Sequence, residues 1–143
     1  MKSLIIFALV LTTSTVIRAQ ENIMESYLKY LMPYIEPCAA EQQLTNEEAT
    51  NIQMVPRGGA TADKLACLRS CVMKKMGGLV DNKVQLDAVN TMIDTVHAGK
   101  PDEISKVKDI AANCVANAES QSDECQIGMK YADCYIMKLM AGI

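Results

Sequence analysis

Six cysteines, one histidine and five tyrosines are the residues of this sequence whose chemistry reaches beyond packing. The cysteines are Cys38, Cys67, Cys71, Cys114, Cys125 and Cys134. An even number of thiols in a short chain either pairs as disulfides or holds a metal. Zinc sites bring CxxC pairs or histidine partners. Here the tightest pair, in CLRSC at 67–71, is four positions apart, and the single histidine, His97, is far from every cysteine. Three disulfides are expected, and no metal or other cofactor.

His97 is also the one candidate for a general base. Hydrolysis needs an activated nucleophile or a metal-bound water, usually with a histidine beside it. His97 lies in VHAGKP, a helix-stop pattern, with no GxSxG elbow or HExxH motif in the chain. It reads as an exposed cap on helix carbonyls with no switching role. The chain is therefore expected not to be an enzyme, a small secreted lipid hydrolase being the distant alternative.

The elements that must position these residues are read from the start of the chain. MKSLIIFALVLTTSTVIRA has a lysine, an apolar run from Leu4 to Leu11 and a small residue at Ala19. That is the form of a secretory signal peptide over residues 1–19. The run breaks at Thr12, short of the roughly 20 residues of a spanning helix. Its removal leaves residues 20–143, with 12 Lys and Arg against 17 Asp and Glu, a formal charge of −5. Such a surface repels phosphate backbones, so nucleic acid is excluded as a partner and a small diffusible ligand is favoured. The remaining aromatics are all tyrosines: Tyr27, Tyr30 and Tyr34 early, Tyr131 and Tyr135 late. The interior must be built from aliphatic side chains and adaptable methionines.

Apolar periodicity is helical throughout, with no sustained alternation of period two. A first helix is expected from about Asn22 to Gln43, with Met24, Tyr27, Leu28, Leu31, Ile35 and Cys38 on one side. Pro33 and Pro37 should kink or split it. Thr45-Asn-Glu-Glu48 is a capping box, so a short helix should follow toward Met54. Ala62 to Met76 forms a helix that Gly77 and Gly78 end. Leu86, Val89, Ile93 and Val96 make the stripe of another. Pro101 opens a helix with stripe Ile104, Val107, Ala111, Cys114, Val115 and Ala118. Ser122 is expected to cap a last helix reaching about Met140.

Within this frame Cys67 and Cys71 leave one helix face a turn apart, while Cys125 and Cys134, half a revolution apart, leave opposite sides of the last helix. Six cysteines still permit 15 pairings. The pattern Cys38-x28-Cys67-x3-Cys71-x42-Cys114-x10-Cys125-x8-Cys134 behind a signal peptide resembles that of the insect odorant-binding proteins, including the pheromone-binding and general odorant-binding branches. The resemblance implies an all-α, compact six-helix domain around an internal hydrophobic cavity, stapled by Cys38–Cys71, Cys67–Cys125 and Cys114–Cys134. It implies a secreted carrier that reversibly binds small hydrophobic semiochemicals and takes them through aqueous lymph to membrane odorant receptors. A monomer or weak homodimer is expected. A carrier of the same fold in taste, reproductive secretion, venom or lipid transport is the alternative.

Pocket residues are expected on the inward stripes. They are Tyr30, Tyr34, Met54, Leu68, Val72 and Met76 from the first half of the chain. Leu79, Met92, Val96, Val107, Ile110 and Ala111 follow, and Ile127, Tyr131, Ile136 and Leu139 complete the set. Tyr131 is expected to give the main polar contact to ligand, because a phenol in an aliphatic wall offers one hydroxyl that seeks a partner.

Overall fold

The computed structural model describes the backbone of residues 2–50 and 60–142, and the side chains of 22–50 and 61–142. Helix α1 runs from Lys2 to Glu41. It begins far ahead of Asn22 because residues 2–32 contain neither Gly nor Pro and nothing there stops a helix. Nor do the prolines split it. Pro33 and Pro37 lie on its solvent face, where the carbonyls freed of their N–H partners can be hydrated, while Ile35, Cys38 and Ala39 between and beyond them are buried. Packing on one face holds what two missing hydrogen bonds weaken.

Helix α2 (Asn46–Thr50) starts at the expected capping box. Glu48 N donates to Thr45 Oγ1 at 3.2 Å, and Thr45 N donates back to Glu48 Oε2 at 2.8 Å. Helix α3 (Ala60–Lys75) ends where Gly77 takes φ +80° and Gly78 N donates to Met73 O at 2.7 Å.

The chain then does something the periodicity did not foretell. Strands β1 (Leu79–Val80) and β2 (Lys83–Val84) pair antiparallel across Asp81 and Asn82, both at positive φ. Each strand is two residues long, too short for alternation to register in sequence, but the Asp-Asn turn chemistry suits a tight hairpin. Leu79 and Val84 point into the core, and Glu119 holds the outer strand through Val84 N at 2.9 Å.

Helix α4 (Leu86–Val96) buries Val89, Met92 and Ile93. Helix α5 (Pro101–Asn113) and helix α6 (Val115–Glu119) replace the single helix expected from Pro101. The break falls at Cys114, whose N–H reaches back three residues to Ala111 O while its sulfur is tied to Cys134. Helix α7 (Glu124–Gly142) is capped by Asp123 rather than Ser122, since Asp123 Oδ1 accepts from Gln126 N at 2.9 Å. The fold is all-α, its small hairpin apart.

Helix α7 is the central post. At its crossing with α3, a Cβ on Gly128 would lie 2.5 Å from both Cα and N of Ser70, so only glycine fits. One turn away on each helix, Cys67 is bonded to Cys125. The other bridges are Cys38–Cys71 and Cys114–Cys134, the three pairs named by the resemblance. Cys71 thus holds α1 to α3, Cys67 holds α3 to α7, and Cys114 holds the α5–α6 junction to α7. Buried side chains fall into two clusters. A larger one gathers about α4, α5 and α7, and a smaller one about the C-terminal half of α1, with α2 and α3.

Candidate ligand cavity

Between these clusters lies an apolar cavity of about 140 Å³. Helix α1 supplies Met24, Tyr27, Leu31 and Ile35, four residues of one helical stripe, and α2 supplies Ala49. From α3 come Leu65, Leu68, Arg69, Val72, Met73 and Met76. Val89 and Met92 of α4 close one side, and Tyr131, Ala132, Tyr135, Ile136 and Leu139 of α7 close the other. Among the described residues, α5 and α6 contribute nothing to the wall.

Of the expected pocket residues, the structure brings together on this wall Leu68, Val72, Met76, Met92, Tyr131, Ile136 and Leu139. Leu79, Val107, Ala111 and Ile127 are buried in the larger cluster instead, with Tyr30, Val96 and Ile110 packed on its margin. Tyr34 packs on the smaller cluster. Met54 lies outside the described residues. The α5 stripe fails to reach the cavity because it is used behind α4 and α7, where Val107 and Ala111 are wholly buried. On α1 the wall follows the stripe through Met24, Tyr27 and Leu31, whereas Tyr30 and Tyr34 sit a quarter-turn round, ring against ring at 6.5 Å.

Four polar side chains interrupt the hydrocarbon. Arg69, at the α3 edge, is ion-paired with Asp133. Tyr27, Tyr131 and Tyr135 cluster opposite it, Tyr131 and Tyr135 stacked with ring centroids 6.3 Å apart and Tyr27 edge-on to Tyr135 at 6.0 Å. Tyr131 donates its hydroxyl hydrogen to Ala111 O at 3.1 Å, so that hydrogen is already engaged by backbone. Tyr135 Oη and Tyr27 Oη are 2.6 Å apart, and Tyr27 Oη is 2.8 Å from His97 Nε2. His97 Nδ1 lies 3.1 Å from Glu103 Oε2.

His97 is therefore not the exposed cap that its sequence context suggested. Its backbone N–H does cap α4, donating to Ile93 O at 2.9 Å, but the ring is only 1% exposed. The turn through Gly99, at φ +83°, carries the chain into α5 and folds Glu103 back against the ring. Burial pushes the Tyr27 phenol up to about 12 and raises Tyr131 and Tyr135 as well. The hydrogen bond with His97 lowers Glu103 below the usual carboxylate range. The arrangement offers apolar contact with a small polar end. Every cysteine is bridged, and among the described residues no group of three acidic, His or Cys side chains could hold a metal.

The PBP/GOBP family model matches residues 20–138. This chain belongs to the PBP/GOBP family. Proteins of this family are carriers of small ligands rather than enzymes. Among curated proteins none matches the sequence. Among solved structures the PBP/GOBP chain is similar to the odorant-binding protein dmelOBP28a from Drosophila melanogaster, at 23% identity and TM-score 0.55, over 81% of this chain and 94% of that one. At this identity the likeness establishes the fold. Among the described residues no helix is long and apolar enough to cross a membrane.

The wall residues that sequence reasoning missed are Met24, Tyr27, Leu31, Ile35, Ala49, Leu65, Arg69, Met73, Val89, Ala132 and Tyr135. For Met24, Tyr27, Leu31 and Ile35 the signal was present, since all four lie on the apolar stripe of the first helix. Arg69 and Glu103 carried none, because a charged residue on a helix is ordinarily solvated.

Proposed function

We propose that this protein is a secreted carrier of small hydrophobic odorants or pheromones, taking them through aqueous lymph to membrane odorant receptors. Residues 1–19 act as the signal peptide, and residues 20–143 are the working domain. The observation that carries this reading is the apolar cavity lined by α1, α3, α4 and α7, with membership of the PBP/GOBP family and the likeness to an odorant-binding protein beside it. Transfer of an apolar ligand from water into such a wall supplies affinity at about 25 cal/mol per Å² buried. A cavity of 140 Å³ is close to the roughly 150 Å³ that holds benzene. Longer ligands are met by movement of Met24, Met73, Met76 and Met92, whose unbranched side chains repack at low energy.

Capture and release need no covalent step. Competitive displacement of a fluorescent apolar probe from purified protein by a panel of volatile alkanes, alcohols and esters tests binding. Saturable displacement with dissociation constants in the micromolar range is expected, and a protein that never takes up the probe or any panel member is not such a carrier. Immunolocalisation to sensillum lymph tests the olfactory setting.

A further inference from the structure

The polar chain behind the cavity has a direction, and that direction sets what the wall can offer a ligand. Glu103 is an acceptor, ionised at neutral pH, with Lys100 Nζ 3.4 Å from the same oxygen that faces His97. His97 Nδ1 must then carry a hydrogen, which in the neutral ring leaves Nε2 with a bare lone pair. Tyr27 owns one hydroxyl hydrogen and gives it to Nε2 across 2.8 Å. Toward Tyr135, Tyr27 can now only accept, so the Tyr135 hydrogen is engaged as well, across 2.6 Å. Tyr131 has given its own to Ala111 O. His97 and Glu103 stand outside the cavity wall, whereas all three tyrosines stand on it. Every phenol hydrogen on the wall is therefore engaged within the protein, and what these hydroxyls have left to offer a ligand is lone pairs.

We propose that the tyrosine end of the cavity is an acceptor surface selecting ligands that carry a hydroxyl hydrogen, namely alcohols, over ethers, esters and ketones of the same carbon skeleton. The inference rests on the carrier reading and adds the chemical class of its ligand. Tyr135, the inner end of the chain, receives the ligand O–H. His97 and Glu103, off the wall, are positioning residues, and Tyr27, on the wall, passes their orientation on and fixes the sense of the Tyr135 hydrogen. A ligand with oxygen but no hydrogen to give meets lone pair against lone pair there, and loses its hydration with nothing in return.

Displacement of one fluorescent apolar probe by a linear alcohol, its methyl ether, the matching ketone and the matching alkane measures the preference. In wild type the alcohol should bind about three- to tenfold tighter than the ether and the ketone, the size of one hydrogen bond. Tyr135→Phe should weaken the alcohol alone and erase the difference. Tyr27→Phe keeps the ring but removes the acceptor that engages the Tyr135 hydrogen, so the ketone should gain and the preference narrow or invert. Should either variant fold poorly, the wild-type comparison and the other variant still decide. Equal binding of alcohol and ketone by wild type overturns the proposal, as does an alcohol preference that survives Tyr135→Phe. A wild-type preference for the ketone also overturns it and moves the polar contact to Arg69, the cation of the described wall. Alkane binding without discrimination leaves the carrier reading intact, whereas no displacement by any compound removes both.

Discussion

The two halves of α7 are packed by opposite rules. Where it crosses α3, Gly128 admits the Ser70 backbone so closely that not even a methyl group fits, and the Cys67–Cys125 bridge pins the next turn. Further along the same stripe Tyr131, Ala132, Tyr135, Ile136 and Leu139 look onto unfilled space and flexible methionines. A cavity leaves dispersion contacts unmade, at about 24 cal/mol per Å³ in measured cases. The covalent, close-packed half is what lets the other stay open, because the chain need not fill its core to keep its helices together.

Breaking the tight half should have the largest effects. The Cys67–Cys125 bridge closes the longest loop of the three, with a sequence separation of 58 against 20 for Cys114–Cys134. In the chain-entropy model its removal by Cys67→Ser with Cys125→Ser lowers stability by about 4 kcal/mol, more than the same change at Cys114 and Cys134. Urea unfolding of the three proteins gives the ranking. The comparison is broken if the short-loop pair proves the more damaging.

Gly128→Ala comes next. The new Cβ meets backbone, which cannot swing aside as a side-chain tip would, so α3 and α7 must part. A loss of about 1–3 kcal/mol is expected, typical of overpacking. Alanine elsewhere would favour the helix by roughly 1 kcal/mol over glycine, so a stabilised variant in a thermal melt would show the contact to be slack.

Tyr131→Phe probes the open half. Its hydroxyl hydrogen is engaged by Ala111 O, so deletion should lower stability by about 0.5–1.5 kcal/mol, the carbonyl keeping the Cys114 N–H as its partner. The ratio of alcohol to alkane affinity should hardly move. A large drop in that ratio with unchanged stability would restore Tyr131 to the role its sequence position suggests, as the main polar contact to ligand.

How much of this could be read beforehand follows the same division. Helix boundaries at the Thr45 capping box, at Gly77 and at Pro101 were legible because each rests on local backbone chemistry. The bridge pattern was legible as a family spacing, since the residues themselves allowed 15 pairings. The cavity was not. Val107 and Tyr30 share the inward, apolar character of Val72 and Tyr27, and only the way α5 is tucked behind α4 and α7 separates core from wall. His97 was misread for the same reason. Its backbone role is local and was visible in VHAGKP, but the partners that bury its ring are Tyr27, 70 residues earlier, and Glu103 on the next helix.

The smallest effect tests that long-range chain from its exposed end. Glu103 is held below the usual carboxylate range chiefly by its hydrogen bond with His97, with Lys100 adding to the shift. A carboxyl whose folded-state pKa lies below its unfolded value stabilises the fold fully above the unfolded value, about 4.3, and that contribution is lost as pH falls through the folded pKa. Its side chain is a third exposed, so water screens much of the gain. The stability difference between wild type and Glu103→Gln should therefore favour wild type at neutral pH and shrink on acidification toward about pH 3, as the carboxylate takes up its proton. Paired urea titrations at the two pH values read it as a difference of differences, in which every other carboxylate cancels. If the gap widens in acid, the carboxylate is not what orients His97, and the chain from Glu103 to the tyrosine end of the cavity has no anchor.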